Sequence, residues 1–175
     1  MDQRTPAVLA GLGWLPDLAL TPAWSRERPH SRFAGRRTQS SGPIRVLLVE
    51  DDPTIAEMYR VQLDYDGYTV TVVPTGDAAI SAMEAAKPDI VLLDLLLPDR
   101  SGLEVMVQIN QSFPDHPPVV ILSNYGEPTM IERGLALGAV EYLVKSRVTP
   151  DSVSRAIPRW IGLRPGGEPH QEHRS

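Results

Sequence analysis

The chain has no cysteine among its 175 residues. That absence excludes a disulfide framework, a zinc–thiolate site and a cysteine nucleophile, and it fits a reducing, cytoplasmic setting. No apolar run approaches the length needed to cross a bilayer, so no membrane association is expected. The stretch from Val8 to Leu20 comes nearest to a signal peptide, but Pro16 and Asp17 interrupt it and no small-x-small cleavage pattern follows. His30, His116, His170 and His173 have no clustered ligand spacing, so no histidine metal site is expected. A glycine-rich phosphate loop is missing too. After the first predicted strand stands Glu50-Asp-Asp-Pro53, which repels phosphate unless a cation is present and counts against a flavin- or dinucleotide-binding module.

What is present is unevenly spread. The formal net charge is −5, yet Met1 to Pro43 hold six arginines against three acids, a net +3 that leaves −8 on the remainder. That remainder should repel a nucleic-acid backbone, so direct nucleic-acid contact is not expected. Residues 1–43 also carry five prolines and no sustained hydrophobic period. They read as a flexible arm, with Trp14, Trp24 and Phe33 as its only aromatics, because they cannot bury enough apolar surface to offset the entropy of ordering. Residues 164–175 read as a polar tail. One domain is expected at 44–163.

Within that domain, short runs rich in Val, Ile and Leu predict strands at Arg45 to Val49, Tyr68 to Val73, Asp89 to Leu93, Val119 to Leu122 and Val140 to Val144. Segments of helical length separate them. Asp52-Pro53 is an N-cap followed by proline at the first helical position, and Ile55, Tyr59 and Leu63 recur at helical spacing behind it. Thr75-Gly-Asp77 opens a second helix with Ala79, Ile80 and Met83 inward. The third is predicted to face inward through Leu103, Met106, Val107 and Asn110, and the fourth through Ile131 and Leu135. Thr149-Pro150 starts a fifth bearing Val153, Ile157, Trp160 and Ile161, which Pro158 should kink or end. Five strands alternating with five helices specify an α/β, (βα)5 doubly wound parallel sheet of flavodoxin-like order 2-1-3-4-5.

Acids and a lysine stand at the ends of these runs. Glu50 and Asp51 follow Val46-Leu-Leu-Val49, Asp94 follows Ile90-Val-Leu-Leu93, and Lys145 follows Tyr142-Leu-Val144. Ligand chemistry in open parallel sheets collects at the carboxyl ends of the strands, so these side chains are expected to share one crevice. Crowded carboxylates repel one another unless a cation sits among them, and an all-oxygen set suits Mg2+ or Mn2+. Asp52 reads as the helix cap rather than a ligand, and Asp99 as a solvated loop acid.

With those positions in view, the chain resembles the receiver domain of bacterial response regulators in two-component signalling, over about residues 44–163. The motifs that carry the resemblance are Val49-Glu-Asp-Asp52, Leu93-Asp-Leu-Leu-Leu-Pro98 with Asp99-Arg-Ser-Gly102, Val120-Ile-Leu-Ser123 and Gly138-Ala-Val-Glu-Tyr-Leu-Val-Lys145. The resemblance implies that Asp94 is the phosphoacceptor. It implies that Glu50, Asp51, Asp94 and the backbone carbonyl of Leu96 hold magnesium, and that Lys145 contacts the phosphoryl oxygens. Ser123 and Tyr142 are implied as the switch pair.

The implied partners are a sensor histidine kinase or phosphotransfer protein and a downstream protein target, with a homodimer through the fourth helix, fifth strand and fifth helix as a further expectation. Tyr142 and Trp160 are either part of that surface or packed beneath it. Only the polar tail follows the fifth helix, so a single-domain phosphoacceptor without an output domain is expected, and no enzyme beyond its own phosphoryl transfer and loss. The alternatives are an unphosphorylated interaction scaffold and a magnesium-dependent phosphatase of the haloacid-dehalogenase type. The latter would need an acid two residues after its nucleophile, where this chain has Leu96.

Two departures from the family pattern carry expectations. Ser146 replaces the usual proline after the lysine, and a cis peptide without proline costs ~2.5–4 kcal/mol, so a trans peptide and a differently shaped loop are predicted. Leu96 and Tyr125 stand at the two positions that tune dephosphorylation in the family. Neither can orient an attacking water, which predicts a long-lived phosphoryl group.

Overall fold

The three central strands are apolar over nearly their whole length because helices cover both faces of the sheet. The computed structural model describes residues 42–163. The expectations for the arm, apart from Gly42 and Pro43, and for the tail therefore lie outside the described residues. In chain order the elements are β1 (Arg45–Val49), α1 (Pro53–Tyr65), β2 (Thr69–Val73), α2 (Gly76–Ala86), β3 (Ile90–Asp94), α3 (Gly102–Ser112), β4 (Val119–Ser123), α4 (Pro128–Ala136), β5 (Glu141–Val144) and α5 (Pro150–Ile161). All strand pairings are parallel and the order is β2-β1-β3-β4-β5. β3 and β4 are buried at every residue, whereas edge strand β2, Thr-Val-Thr-Val-Val, is only half buried.

Successive residues of a strand point to opposite faces, and the core divides accordingly. Val46, Leu48, Ile90, Leu92, Val120 and Leu122 pack against Tyr59 and Leu63 of α1 and Val153, Ile157 and Trp160 of α5. Leu47, Val49, Val91, Leu93, Val119 and Ile121 form the other layer with α2, α3 and Tyr142. Burying one such aliphatic side chain contributes ~1.5–3 kcal/mol, which is why both faces need their helices. Trp160 belongs to this core and not to the surface.

The capping signals read from the sequence hold. Asp52 accepts hydrogen bonds from the N–H groups of Thr54 (2.8 Å) and Ile55 (3.0 Å) at the start of α1. Thr149 and Ser152 form a capping box on α5, and Ser101 and Glu104 form one on α3.

Two expectations about helices need correction, and a third is narrowed. α3 turns Val105, Met106 and Ile109 inward beside Leu103, leaving Val107 and Asn110 exposed. In α4 Leu135 is exposed, and the only buried residue is Gly134. Of the two outcomes expected at Pro158, a kink or an end, the end is excluded, because α5 continues to Ile161. Proline has no N–H for the carbonyl of Ser154, one turn earlier, and the hydroxyl of Tyr68 donates to that carbonyl instead, at 3.0 Å.

Candidate functional site

Strand order places the crevice where the chain leaves β1 and β3 in opposite directions across the sheet, at their carboxyl ends. Glu50 follows β1, Asp94 is the last residue of β3, Ser123 the last of β4, and Lys145 follows β5. The structure brings all four to this end. Glu50 and Asp94 are only 2% and 4% exposed, while Asp51 faces solvent. Gly102 keeps the start of α3 tight against the end of β3, because a side chain there would run into the backbone of Asp94 and Leu95.

Lys145 ties the cluster together. Its Nζ donates to Glu50 Oε2 at 2.5 Å and to Asp94 Oδ2 at 2.8 Å. Asp94 Oδ1 accepts from the backbone N–H groups of Leu95 (2.6 Å) and Leu96 (3.3 Å), so both oxygens of this carboxylate have defined partners. The turn carrying Lys145 is a short 3-10 helix, Lys145–Arg147, and no cis peptide occurs among the described residues. The predicted trans geometry at Ser146 is what the chain adopts, and the lysine still reaches the acids.

One lysine does not fully compensate the burial. Desolvation pushes the carboxyl of Glu50 above its ordinary pKa, against the hydrogen bond and charge of Lys145, and the charge of Asp94 adds to the rise. Carboxylate oxygens of Glu50, Asp51 and Asp94 lie within 4.8 Å of one another. This donor set is all oxygen, carries excess negative charge over its one lysine, and is open to water on the Asp51 side. It fits a hard divalent cation that keeps several waters. Asp52 is not in the set; it caps α1.

The two predicted switch residues meet at the backbone of one residue, Tyr125. Ser123 Oγ accepts from the N–H of Tyr125 at 3.1 Å, and the hydroxyl of Tyr142 donates to the carbonyl of Tyr125 at 2.7 Å. Ser123 is fully buried and Tyr142 nearly so. Leu96 and Tyr125, in contrast, are 52% and 42% exposed.

Asp99 is exposed, as expected of a loop acid, but its carboxylate also has backbone partners. Its Oδ1 accepts from the N–H of Gly76 and its Oδ2 from the N–H of Asp77, both at 2.9 Å, so the loop after β3 is pinned to the first turn of α2. Those bonds hold its carboxyl below the usual carboxylate range, Gly76 first and Asp77 second. The only sequence signal was an acid in a loop after Pro98. Its partners lie more than 20 residues upstream, and no local pattern connects them.

Comparison with known proteins agrees with this fold. The family described as response regulator receiver domain matches residues 46–157. The transcriptional regulatory protein TrcR of Mycobacterium tuberculosis is 32% identical over 143 residues, covering 78% of this chain and 53% of its own length. The DNA-binding response regulator MtrA of Mycolicibacterium smegmatis is 33% identical over 115 residues, covering 66% of this chain and 50% of its own. Among solved structures, the chemotaxis response regulator CheY4 of Vibrio cholerae superposes with a TM-score of 0.61 at 27% identity, over 67% of this chain and 98% of that one. The chain spans about half the length of the curated relatives it matches.

Proposed function

The chain belongs to the response regulator receiver family, and from that premise we propose that Asp94 accepts a phosphoryl group from a histidine kinase or phosphotransfer protein. The observation that carries the proposal is a buried carboxylate at the end of a central strand, 2.8 Å from Lys145 Nζ and beside two further acids.

In this reading a carboxylate oxygen of Asp94 attacks the phosphorus of a phosphohistidine. A P–O bond forms, the P–N bond breaks, and the imidazole nitrogen keeps the electron pair. The N–H groups of Leu95 and Leu96 fix the orientation of the carboxylate through Oδ1. Glu50, Asp51, Asp94 and the backbone carbonyl of Leu96 would hold magnesium or manganese, which when bound supplies charge neutralisation at the phosphoryl oxygens. Lys145 transfers its hydrogen bond from Asp94 to a phosphoryl oxygen. Ser123, whose hydroxyl can donate while it accepts, bonds to another. Positioning and electrostatics do most of the work, as loose phosphoryl-transfer transition states require.

The signal then leaves by way of Tyr125. Moving Ser123 toward the phosphoryl group releases the N–H of Tyr125, the residue whose carbonyl Tyr142 holds, and Tyr142 packs under α4. The readout surface is α4, β5 and α5, presented to a protein target or to a second copy of the chain. The phosphoryl group biases an existing two-state equilibrium and does not create a new shape. The proposal covers the receiver segment at 44–163. The transcriptional and DNA-binding roles in the relatives' names are not carried over to this chain, and the expectation of no nucleic-acid contact is confined to the same segment.

Mass spectrometry after treatment with acetyl phosphate and magnesium tests the assignment. One phosphoryl mass should be gained by the natural protein and none by Asp94→Asn. A gain that survives the substitution places the chemistry elsewhere.

A further inference from the structure

Asp99 is the only acid in the loop between β3 and α3, and it is spent on another element. An isolated helix start leaves several N–H groups without partners. In α2 the helix's own cap, Thr75, takes the N–H of Ala78 at 3.1 Å, and Asp99 takes the N–H groups of Gly76 and Asp77 with its two oxygens. The next residue reinforces the connection. Arg100 pairs with Asp77 and donates to Gln108 Oε1 at 2.6 Å. The base of the loop is closed separately, by an antiparallel bridge between Leu96 and Ser101 and by the N–H of Gly102 donating to the Leu95 carbonyl at 2.8 Å. Gly76 itself has no room for a side chain, because a Cβ would lie 2.6 Å from Val105 and 2.7 Å from Arg100. The loop and the start of α2 are built as one close-fitting unit.

This unit contains Leu96, whose carbonyl belongs to the cation ligand set in the receiver reading. A magnesium-sized cation demands near-ideal geometry from each protein ligand, and a backbone carbonyl is only as well placed as its loop. We propose that Asp99 is a positioning residue for the cation site: by filling the start of α2 it holds the loop so that the Leu96 carbonyl is in place before the ion arrives. The inference rests on the receiver reading of the site and adds to it a residue that touches neither ion nor phosphoryl group.

The rival account is that Asp99 merely caps α2. Thr75 separates the two, because removing its hydroxyl weakens the same helix start and leaves the loop anchored. The experiment titrates the full chain with Mn2+ alone and follows free Mn2+ by electron paramagnetic resonance, with melting temperature measured alongside. Asp99→Ala should raise the Mn2+ dissociation constant roughly ten-fold, the scale of lost outer-sphere support at metal sites. Asp99→Asn, which keeps one acceptor oxygen and loses the other, should raise it less. Thr75→Ala should lower the melting temperature and leave the dissociation constant unchanged. Natural affinity in Asp99→Ala overturns the proposal, as does an equal loss in Thr75→Ala. Should Asp99→Ala fail to fold, natural affinity in Asp99→Asn overturns it as well. Asp94→Asn tells the two levels apart: Mn2+ binding indifferent to that change would sink the site reading itself, whereas binding that needs Asp94 and ignores Asp99 removes only the positioning role.

Discussion

Glu50 shows how burial and pairing compete at one side chain. Lys145 sits 2.5 Å away, yet the carboxyl still titrates above its ordinary range because desolvation outweighs that one partner. A carboxyl with a raised folded pKa favours the folded state at pH below its unfolded value, and that contribution is lost as pH rises through the folded value. In metal-free protein at neutral pH, ionised Glu50 is therefore a cost. Glu50→Gln is expected to stabilise the metal-free protein at pH 7, with the gain shrinking toward nothing as pH falls to the ordinary carboxylate range. Asp52 and Asp99 act in the opposite direction, since backbone N–H groups lower their pKa and their contribution is lost on acidification. Denaturant titrations of natural and Glu50→Gln proteins across pH cancel these shared terms. A difference that grows on acidification would contradict the sign argued here. Leu96 and Tyr125 give a second prediction: with neither able to orient a water, Leu96→Asn combined with Tyr125→Glu should shed phosphate faster than the natural protein. A slower double variant would remove the idea.

At the scale of elements, starts were legible and rotations were not. Asp52-Pro53, Thr75-Gly76 and Thr149-Pro150 mark helix starts because a cap acts on N–H groups two or three residues away, within reach of a sequence pattern. The inward face of α3 was misread because residues 102, 105, 106 and 109 and residues 103, 106, 107 and 110 both have helical spacing. The contact of Gly102 with the end of β3 decides between them, and a one-dimensional pattern does not contain it. The course of α5 past Pro158 depends in the same way on Tyr68, far away in sequence. Tyr68→Phe should cost about 1 kcal/mol, as a buried carbonyl loses its donor. In a Pro158→Ala background the restored N–H can serve Ser154, so the same change should cost clearly less. A double-mutant cycle in urea reads the difference. Equal costs in both backgrounds would show that Tyr68 does not replace the missing helical bond.

Taken as a whole molecule, the site was readable because parallel strands must end together, which gathers Glu50, Asp94, Ser123 and Lys145 from four separate runs. The contact that links this site to the outer surface was not readable, since it runs through the backbone of Tyr125 and through a glycine. α4 has no side-chain cap and buries only Gly134, which rests on Ile121 and the ring of Tyr142. Met130 and Ile131 add only partly buried packing against the core, and an element held in this way should open locally at lower free energy than the strands and helices that build the two cores. Amide exchange over residues 128–136 is therefore expected to be faster than in α1, α3 or α5. It should also change more than any other helix when magnesium and beryllofluoride are added. Gly134→Ala separates packing from helix propensity. Alanine favours the helix by about 1 kcal/mol, but its Cβ would lie 2.6 Å from Ile121 and 3.1 Å from Tyr142. Overpacking of that kind costs roughly 1–3 kcal/mol. If the Tyr142 contact holds α4, the substitution should speed exchange in α4 despite the better helix former. Slower exchange would mean that propensity and not the Tyr142 contact limits the helix, and the proposed route from Ser123 to the surface would lose its last link.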